Sequence, residues 1–232
     1  MTSAQRKPDA AQPFNFFLAI PPPSTQVTLM FDFVAFDLET TGVQPLEDGI
    51  VEIGAVKFVD GAATQDFCRL VNPGMPIPPD AKAVHGISDL DVKEEPPIQD
   101  IMTSFTEYCG DLPLVAHNAK FDFKFLEAAV KRTKCKAPKG QILDTYGLAK
   151  KVFPGMINYR LETLTKYFEF PNTVFHRASE DAEYCGKVFL RILERLEQAD
   201  VSIEIPSLVE LGEMKTMTFP QIAPAGEQLG LF

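Results

Sequence analysis

The stretch Phe36-Asp-Leu-Glu-Thr-Thr-Gly42 (FDLETTG) continues the apolar run Phe33-Val-Ala and places two carboxylates where a buried strand would carry Val or Ile. Side chains alternate along a strand, so Asp37 and Glu39 share one face while Val34, Phe36 and Leu38 share the other. Two like charges held side by side repel, and burying either without a partner is strongly unfavourable. A hard divalent cation, a shared proton or water would relieve them. In isolation an Asp-x-Glu pair reads as an edge strand with one solvated face, so the rest of the chain decides.

Outward from this strand, expected over 33–38, the apolar run 50–59, the turn signal Asp60-Gly61 and a third run over 64–71 predict a three-stranded meander. Pro76, Pro78 and Pro79 predict an irregular crossing, followed by a short helical stretch near 88–92 and a helix near 97–109. Leu112–Ala116 reads as a fourth strand, leading into a helix over about 119–132 with Asn118 as its N-cap. A strand near 141–143 and helices over about 144–152 and 160–168 come next. The last helix, about 179–198, carries Ala182, Cys185, Phe189, Ile192, Leu193 and Leu196 on one stripe. Strands that begin antiparallel and then alternate with helices predict an α/β fold with a mixed sheet.

Residues 1–29 are rich in Pro, Ala, Gln and Ser and read as a disordered arm, with Met30 as an alternative start. Their apolar patch Phe14–Ile20 is too short to span a membrane. Residues 199–227 lack periodicity and read as a tail that is largely extended or disordered. A hydrophobic content of 45% with 23% charged residues is that of a soluble globular chain. The four cysteines, Cys68, Cys109, Cys135 and Cys185, show no paired spacing, which predicts reduced thiols and a cytoplasmic setting.

The formal charge of −10 argues against extensive phosphate binding. Its distribution is uneven, because Lys120 to Lys151 holds nine basic residues against three acidic ones. Screening limits exposed charges to about 8 Å at physiological salt, so a local basic surface could still hold a phosphate backbone. An ordinary solvated helix and loop would read the same way.

Further acids sit in VAHNAKFDFKFL and HRASEDA. Asp122 shares the inward side of its predicted helix with Leu126 and Ala129. Asp181 falls in the first turn of the last helix, with His176 just before it. Singly, each has an ordinary explanation in the helix dipole or a cap.

Together with FDLETTG, in this order, these segments resemble the three exonuclease motifs of the DnaQ-like family of 3′–5′ exonucleases, over about residues 30–198. A histidine five positions before the final acid resembles the family's histidine (DEDDh) branch. The resemblance implies a ribonuclease H-like α/β domain, a mixed five-stranded sheet flanked by helices. It also implies two divalent ions: Asp37 would bridge them, Glu39 and Asp181 would complete the site on the attacking side, and Asp122 would support the second, largely through water. Oxygen ligands of this kind suit Mg²⁺ or Mn²⁺. His176 would take the proton of the attacking water. Thr40, Thr41 and Gly42 would receive the terminal nucleotide, and Asn118 would touch substrate unless capping alone accounts for it. His85 and His117 read as structural.

The segment Gln228-Leu-Gly-Leu-Phe232 resembles the pentapeptide by which bacterial replication and repair proteins attach to the sliding clamp. Gln228 would bond at a pocket rim while Leu229, Leu231 and Phe232 fill a groove. The functional expectation is a 3′–5′ DNA exonuclease acting on a single-stranded or frayed 3′ end, proofreading beside a replicative DNA polymerase. A free-standing repair or RNA-trimming exonuclease, or a non-catalytic adaptor between clamp and polymerase, are the alternatives.

Overall fold

The computed structural model describes residues 31–171 and 177–221. The arm 1–29, His176 and the Gln228–Phe232 segment lie outside the described residues. Strands β1 (Phe33–Thr40), β2 (Ile50–Val59), β3 (Ala62–Leu70), β4 (Leu114–Ala116) and β5 (Ile142–Asp144) form one sheet in the order β3-β2-β1-β4-β5. The first three pair antiparallel, while β4 and β5 run parallel to β1. The turn between β2 and β3 has Asp60 and Gly61 both at positive φ, 50° and 74°. That is the backbone twist a two-residue hairpin requires.

Helices α1 (Pro79–His85), α2 (Asp89–Val92), α3 (Ile98–Cys109), α4 (Lys120–Thr133), α5 (Thr145–Val152), α6 (Leu161–Tyr167), α7 (Ala178–Gln198) and α8 (Ile205–Leu211) surround the sheet. β1 is central and buried on both faces. Val34, Phe36 and Leu38 pack with α3 and α4 through Phe105, Phe125 and Leu126. Phe33 and Ala35 pack with α7, whose Ala182, Cys185, Phe189, Ile192, Leu193 and Leu196 are all buried. Phe33 stacks on Phe58 at 4.8 Å and meets Phe189 edge-on at 4.9 Å. The face of β1 that carries the acids is therefore apolar below them and roofed by α7.

Three expectations need correction. Pro79 starts a helix instead of merely breaking one, because proline at the first helical position lacks only an N–H that would be unbonded anyway. Asn118 is not the N-cap of α4; it sits in the left-handed region at φ 60° and Ala119 precedes the helix with no side-chain cap. Asparagine tolerates that conformation better than most residues, and the turn it makes is held by Asp144, described below. Finally, residues 201–221 are not an extended tail. α8 buries Leu208, Met217 bridges Ile142 along the open edge of β5, and Met217 and Phe219 join the core. Too few apolar residues were spaced at helical period to reveal this, yet covering an exposed strand edge is sufficient reason for it.

Candidate active site

The acids converge at the C-terminal end of β1, where the sheet switches from antiparallel neighbour β2 to parallel neighbour β4. Such switch points open crevices at the strand ends of α/β sheets. Asp37 pairs in register with Gly54, and Glu39 with Glu52. Asp181 enters from the first turn of α7. One carboxylate oxygen from each of Asp37, Glu39 and Asp181 lies within 4.8 Å of the other two, the one such acidic cluster among the described residues. Asp122 is the first member of the buried stripe of α4 and is 3% exposed. It stands outside that tight trio but close enough for its charge to act on Asp37.

Electrostatics makes the cluster unstable as four free anions. Burial first, then the charges of Asp122, Asp181, Glu39 and Glu52, push the Asp37 carboxyl well above its usual range. Burial, followed by repulsion from Asp181, Glu52 and Asp122, pushes Glu39 up to about 8, against a smaller opposing pull from Arg177. Burial also raises Asp122 to about 8 despite hydrogen bonds from its own and the Leu38 backbone. Carboxyls arranged this way hold protons at neutral pH or accept cations in their place. An all-oxygen, multiply anionic donor set fits hard divalent ions.

The turn after β1 is held by its own side chains. The Thr40 hydroxyl donates to the Gly42 carbonyl at 2.6 Å, and the Thr41 hydroxyl accepts from the Gly49 amide at 2.9 Å. Asp48 accepts from the Gln44 amide at 2.8 Å and lies so close that a Cβ on Gly42 would meet its carboxylate at 2.3 Å. Both threonine hydroxyls are thus engaged internally. Asn118 is exposed, two residues before the start of α4. All nine basic residues from Lys120 to Lys151 are exposed, with Lys131, Lys139 and Lys151 paired to Glu127, Asp111 and Glu213.

Both described histidines are engaged in hydrogen bonds within the fold. His117 Nε2 donates to the Tyr159 carbonyl at 2.9 Å while Nδ1 meets the Thr145 hydroxyl at 2.8 Å. Burial depresses its pKa. His85 Nδ1 accepts from the Ile87 amide at 3.0 Å, and burial lowers its pKa too.

Two acids were not anticipated. Asp144, at the end of β5, accepts at one oxygen from the backbone amides of Asn118 (2.9 Å), Ala119 (3.3 Å) and Tyr146 (3.0 Å). It fixes the turn that launches α4 and Asp122. Glu52, wholly buried on β2, is hydrogen-bonded to Arg177 and to the Ala178 amide at the start of α7. Burial would raise its pKa, but the hydrogen bonds of Arg177 and Ala178 outweigh burial and hold it below the usual range. A sequence signal for Glu52 existed: it is a lone charge inside Ile50-Val-Glu-Ile-Gly-Ala-Val56, the same anomaly that singled out Asp37.

Comparison with known proteins gives a consistent picture. The sequence profile of the exonuclease family matches residues 34–189. DNA polymerase III subunit epsilon of Treponema pallidum is 37% identical over 163 residues, covering 69% of this chain and 76% of that protein. The PolC-type DNA polymerase III of Caldanaerobacter subterraneus is 34% identical over 198 residues, covering 84% of this chain but only 14% of that much longer protein. Among solved structures, exonuclease X in complex with 5′-overhanging duplex DNA superposes with a TM-score of 0.62 at 28% identity, covering 78% of this chain and 99% of that one. Among the described residues no helix is long and apolar enough to cross a membrane.

Proposed function

Because the chain belongs to the DnaQ-like family of 3′–5′ exonucleases, we propose that it hydrolyses the terminal phosphodiester of a DNA 3′ end, releases nucleoside 5′-monophosphates and proofreads beside a replicative polymerase. The observation that carries this reading is the meeting of Asp37, Glu39 and Asp181 oxygens within 4.8 Å, with buried Asp122 acting on them.

Asp37, Glu39 and Asp181 would hold one divalent cation, and Asp37 with Asp122 a second, Mg²⁺ or Mn²⁺ being suited to oxygen donors. When bound, such ions neutralise the phosphodiester and stabilise the attacking and leaving oxygens of an in-line displacement. The chain's own contribution is positional and acid–base. The turn Thr40–Gly42 and Asn118 orient the terminal nucleotide, with backbone groups doing the contacting since both threonine hydroxyls are occupied within the turn. His176 accepts the proton of the attacking water, a task suited to an imidazole whose ordinary pKa is about 6.5. His117 is excluded from that task by its two hydrogen bonds.

The acidic balance of the whole chain favours an enzyme handed its DNA end by a partner. Gln228, Leu229, Leu231 and Phe232 would supply one such tether by docking in the peptide groove of a bacterial sliding clamp, which raises the local concentration of DNA ends. The similarity to the epsilon subunit, which spans most of both chains, supports the polymerase partnership.

Hydrolysis rates on matched, mispaired and RNA 3′ ends, with Mg²⁺, with Mn²⁺ and with chelator, test the reading. Metal-dependent removal of a mispaired DNA terminus faster than a matched one supports it. Preference for RNA would make the enzyme a trimming nuclease, and no activity in any metal would leave an adaptor. A labelled Glu227–Phe232 peptide that fails to bind a bacterial clamp would remove the tether.

A further inference from the structure

Glu52 is the most deeply buried charged side chain described, and it touches neither of the acids on β1 by hydrogen bond. Its Oε1 accepts from Arg177 Nη2 at 2.6 Å, and its Oε2 accepts from Arg177 Nε at 3.2 Å and from the Ala178 amide at 3.0 Å. Cys68 Sγ lies 3.5 Å from Oε1. Both oxygens are therefore engaged by the first residues of α7, while the charge of Glu52 still acts on Asp37 and Glu39. Only the Glu52 side of this ion pair is buried, Arg177 being half exposed, so screening by water limits what the pair adds to stability. What it adds is direction, because a planar guanidinium fork meets a carboxylate in one orientation.

The start of α7 needs that direction. Arg177 occupies the N-cap position with extended backbone, φ −135° and ψ 128°, and makes no side-chain cap to its own helix. The first amides of a helix lack intrahelical partners. Glu52 supplies one from the neighbouring strand, and its negative charge also suits the positive end of the helix. Two residues along β2, a Cβ on Gly54 would meet the Ala178 carbonyl carbon at 2.0 Å, so the backbones of β2 and α7 rest directly on one another. Asp181 follows within the same turn, its amide donating to the Arg177 carbonyl at 3.0 Å. The height and rotation at which Asp181 faces Asp37 and Glu39 are thus set where Glu52 grips the helix.

We propose that Glu52 is a positioning residue of the exonuclease: through Arg177 and the Ala178 amide it seats the first turn of α7 so that Asp181 completes the cluster with Asp37 and Glu39. This rests on the exonuclease reading above. Misplacement of a ligand by about 1 Å is enough to lose on the order of 10²-fold in rate.

Glu52→Gln keeps the shape and one acceptor oxygen but loses the charge and the second acceptor. In protein with native circular dichroism, kcat on a DNA 3′ end is expected to fall about 10- to 100-fold and Mn²⁺ affinity, read from the free-ion paramagnetic resonance signal without substrate, by a factor of the same order. KM for the DNA end should stay nearly constant, because Glu52 does not reach substrate. Arg177→Lys, which keeps a charged donor, should recover part of both losses seen in Arg177→Leu. A folded Glu52→Gln enzyme with wild-type kcat and wild-type Mn²⁺ affinity overturns the proposal, as does a change confined to KM. Should Glu52→Gln not fold, identical Mn²⁺ affinity in Arg177→Lys, Arg177→Leu and wild type overturns it instead. Absence of nuclease activity in the wild type would overturn the exonuclease reading, while the Mn²⁺ measurement would still decide the anchor.

Discussion

Glu39 and Glu52 stand opposite one another across the β1–β2 ladder, and the same burial leaves them in opposite states. Burial pushes both upward. In Glu52 hydrogen bonds from Arg177 and Ala178 outweigh it, whereas Glu39, repelled by Asp181, Glu52 and Asp122, reaches about 8. One acid of the pair is spent on structure, and the other is left needing a cation.

The first prediction concerns pH. A carboxyl raised from its ordinary 4.5 to about 8 holds its proton in the folded state but loses it in the unfolded one throughout that window. The unfolded state then binds fewer protons, so stability of the metal-free protein falls as pH rises from about 4.5 to about 8. A divalent ion reverses this by taking the protons' place. Mn²⁺ affinity should therefore climb from pH 6 to 8 and level above it, with proton release detectable by calorimetry in buffers of different ionisation enthalpy. An affinity flat across this range would show that Glu39 and Asp122 are already ionised.

Asp37→Asn separates stability from function. Burial first, then the charges around it, hold the Asp37 carboxyl well above its usual range, so a neutral amide there should stabilise the metal-free protein by roughly 0.5–2 kcal/mol, read as a higher melting temperature, as at other strained functional sites. The same change should abolish hydrolysis by deleting the ligand shared between both cation positions. Thermal melts in chelator beside a nuclease assay give both readings; a destabilised variant would mean that Asp37 is not held against repulsion.

His176→Ala should lower the rate by about 10²- to 10⁴-fold, the usual contribution of a positioned acid–base group, while Mn²⁺ binding persists. An unchanged rate at saturating metal removes His176 from the mechanism.

What could be read from the sequence was whatever announced itself by breaking a pattern or repeating one. Asp37 and Glu39 interrupt a strand, Asp122 interrupts the apolar stripe of α4, and the stripe of α7 repeats at helical spacing; each of these lies where expected. Asn118 was misread because an asparagine before a helix suits both a cap and a left-handed turn, and only the distant Asp144 decides between them. Residues 201–221 were misread because their role is tertiary: Met217 and Phe219 cover the edge of β5, with no periodicity of their own. Glu52 breaks its strand's apolar run as Asp37 does, yet its role could not be read because its partner Arg177 lies 125 residues away.

Asp144 offers the last test, since it serves Asp122 as Glu52 serves Asp181. Three backbone amides, of Asn118, Ala119 and Tyr146, converge on one of its oxygens. Asp144→Ala strands those donors, two of them in the turn that holds Asn118 at φ 60°. Asp144 also caps α5 through the Tyr146 amide, and losing such a cap to alanine costs about 0.5–2 kcal/mol. At about 2–4 °C per kcal/mol for a domain of this size, the melting temperature should drop by several degrees. Relaxation of the turn would also move the first residues of α4, so hydrolysis should fall further than the loss of folded protein explains. Asp144→Asn keeps an acceptor oxygen at the same place, and asparagine caps helices about as well as aspartate. It should restore both the melting temperature and the rate. Equal losses in the alanine and asparagine variants would mean that the carboxylate's charge, and not its geometry, holds the turn.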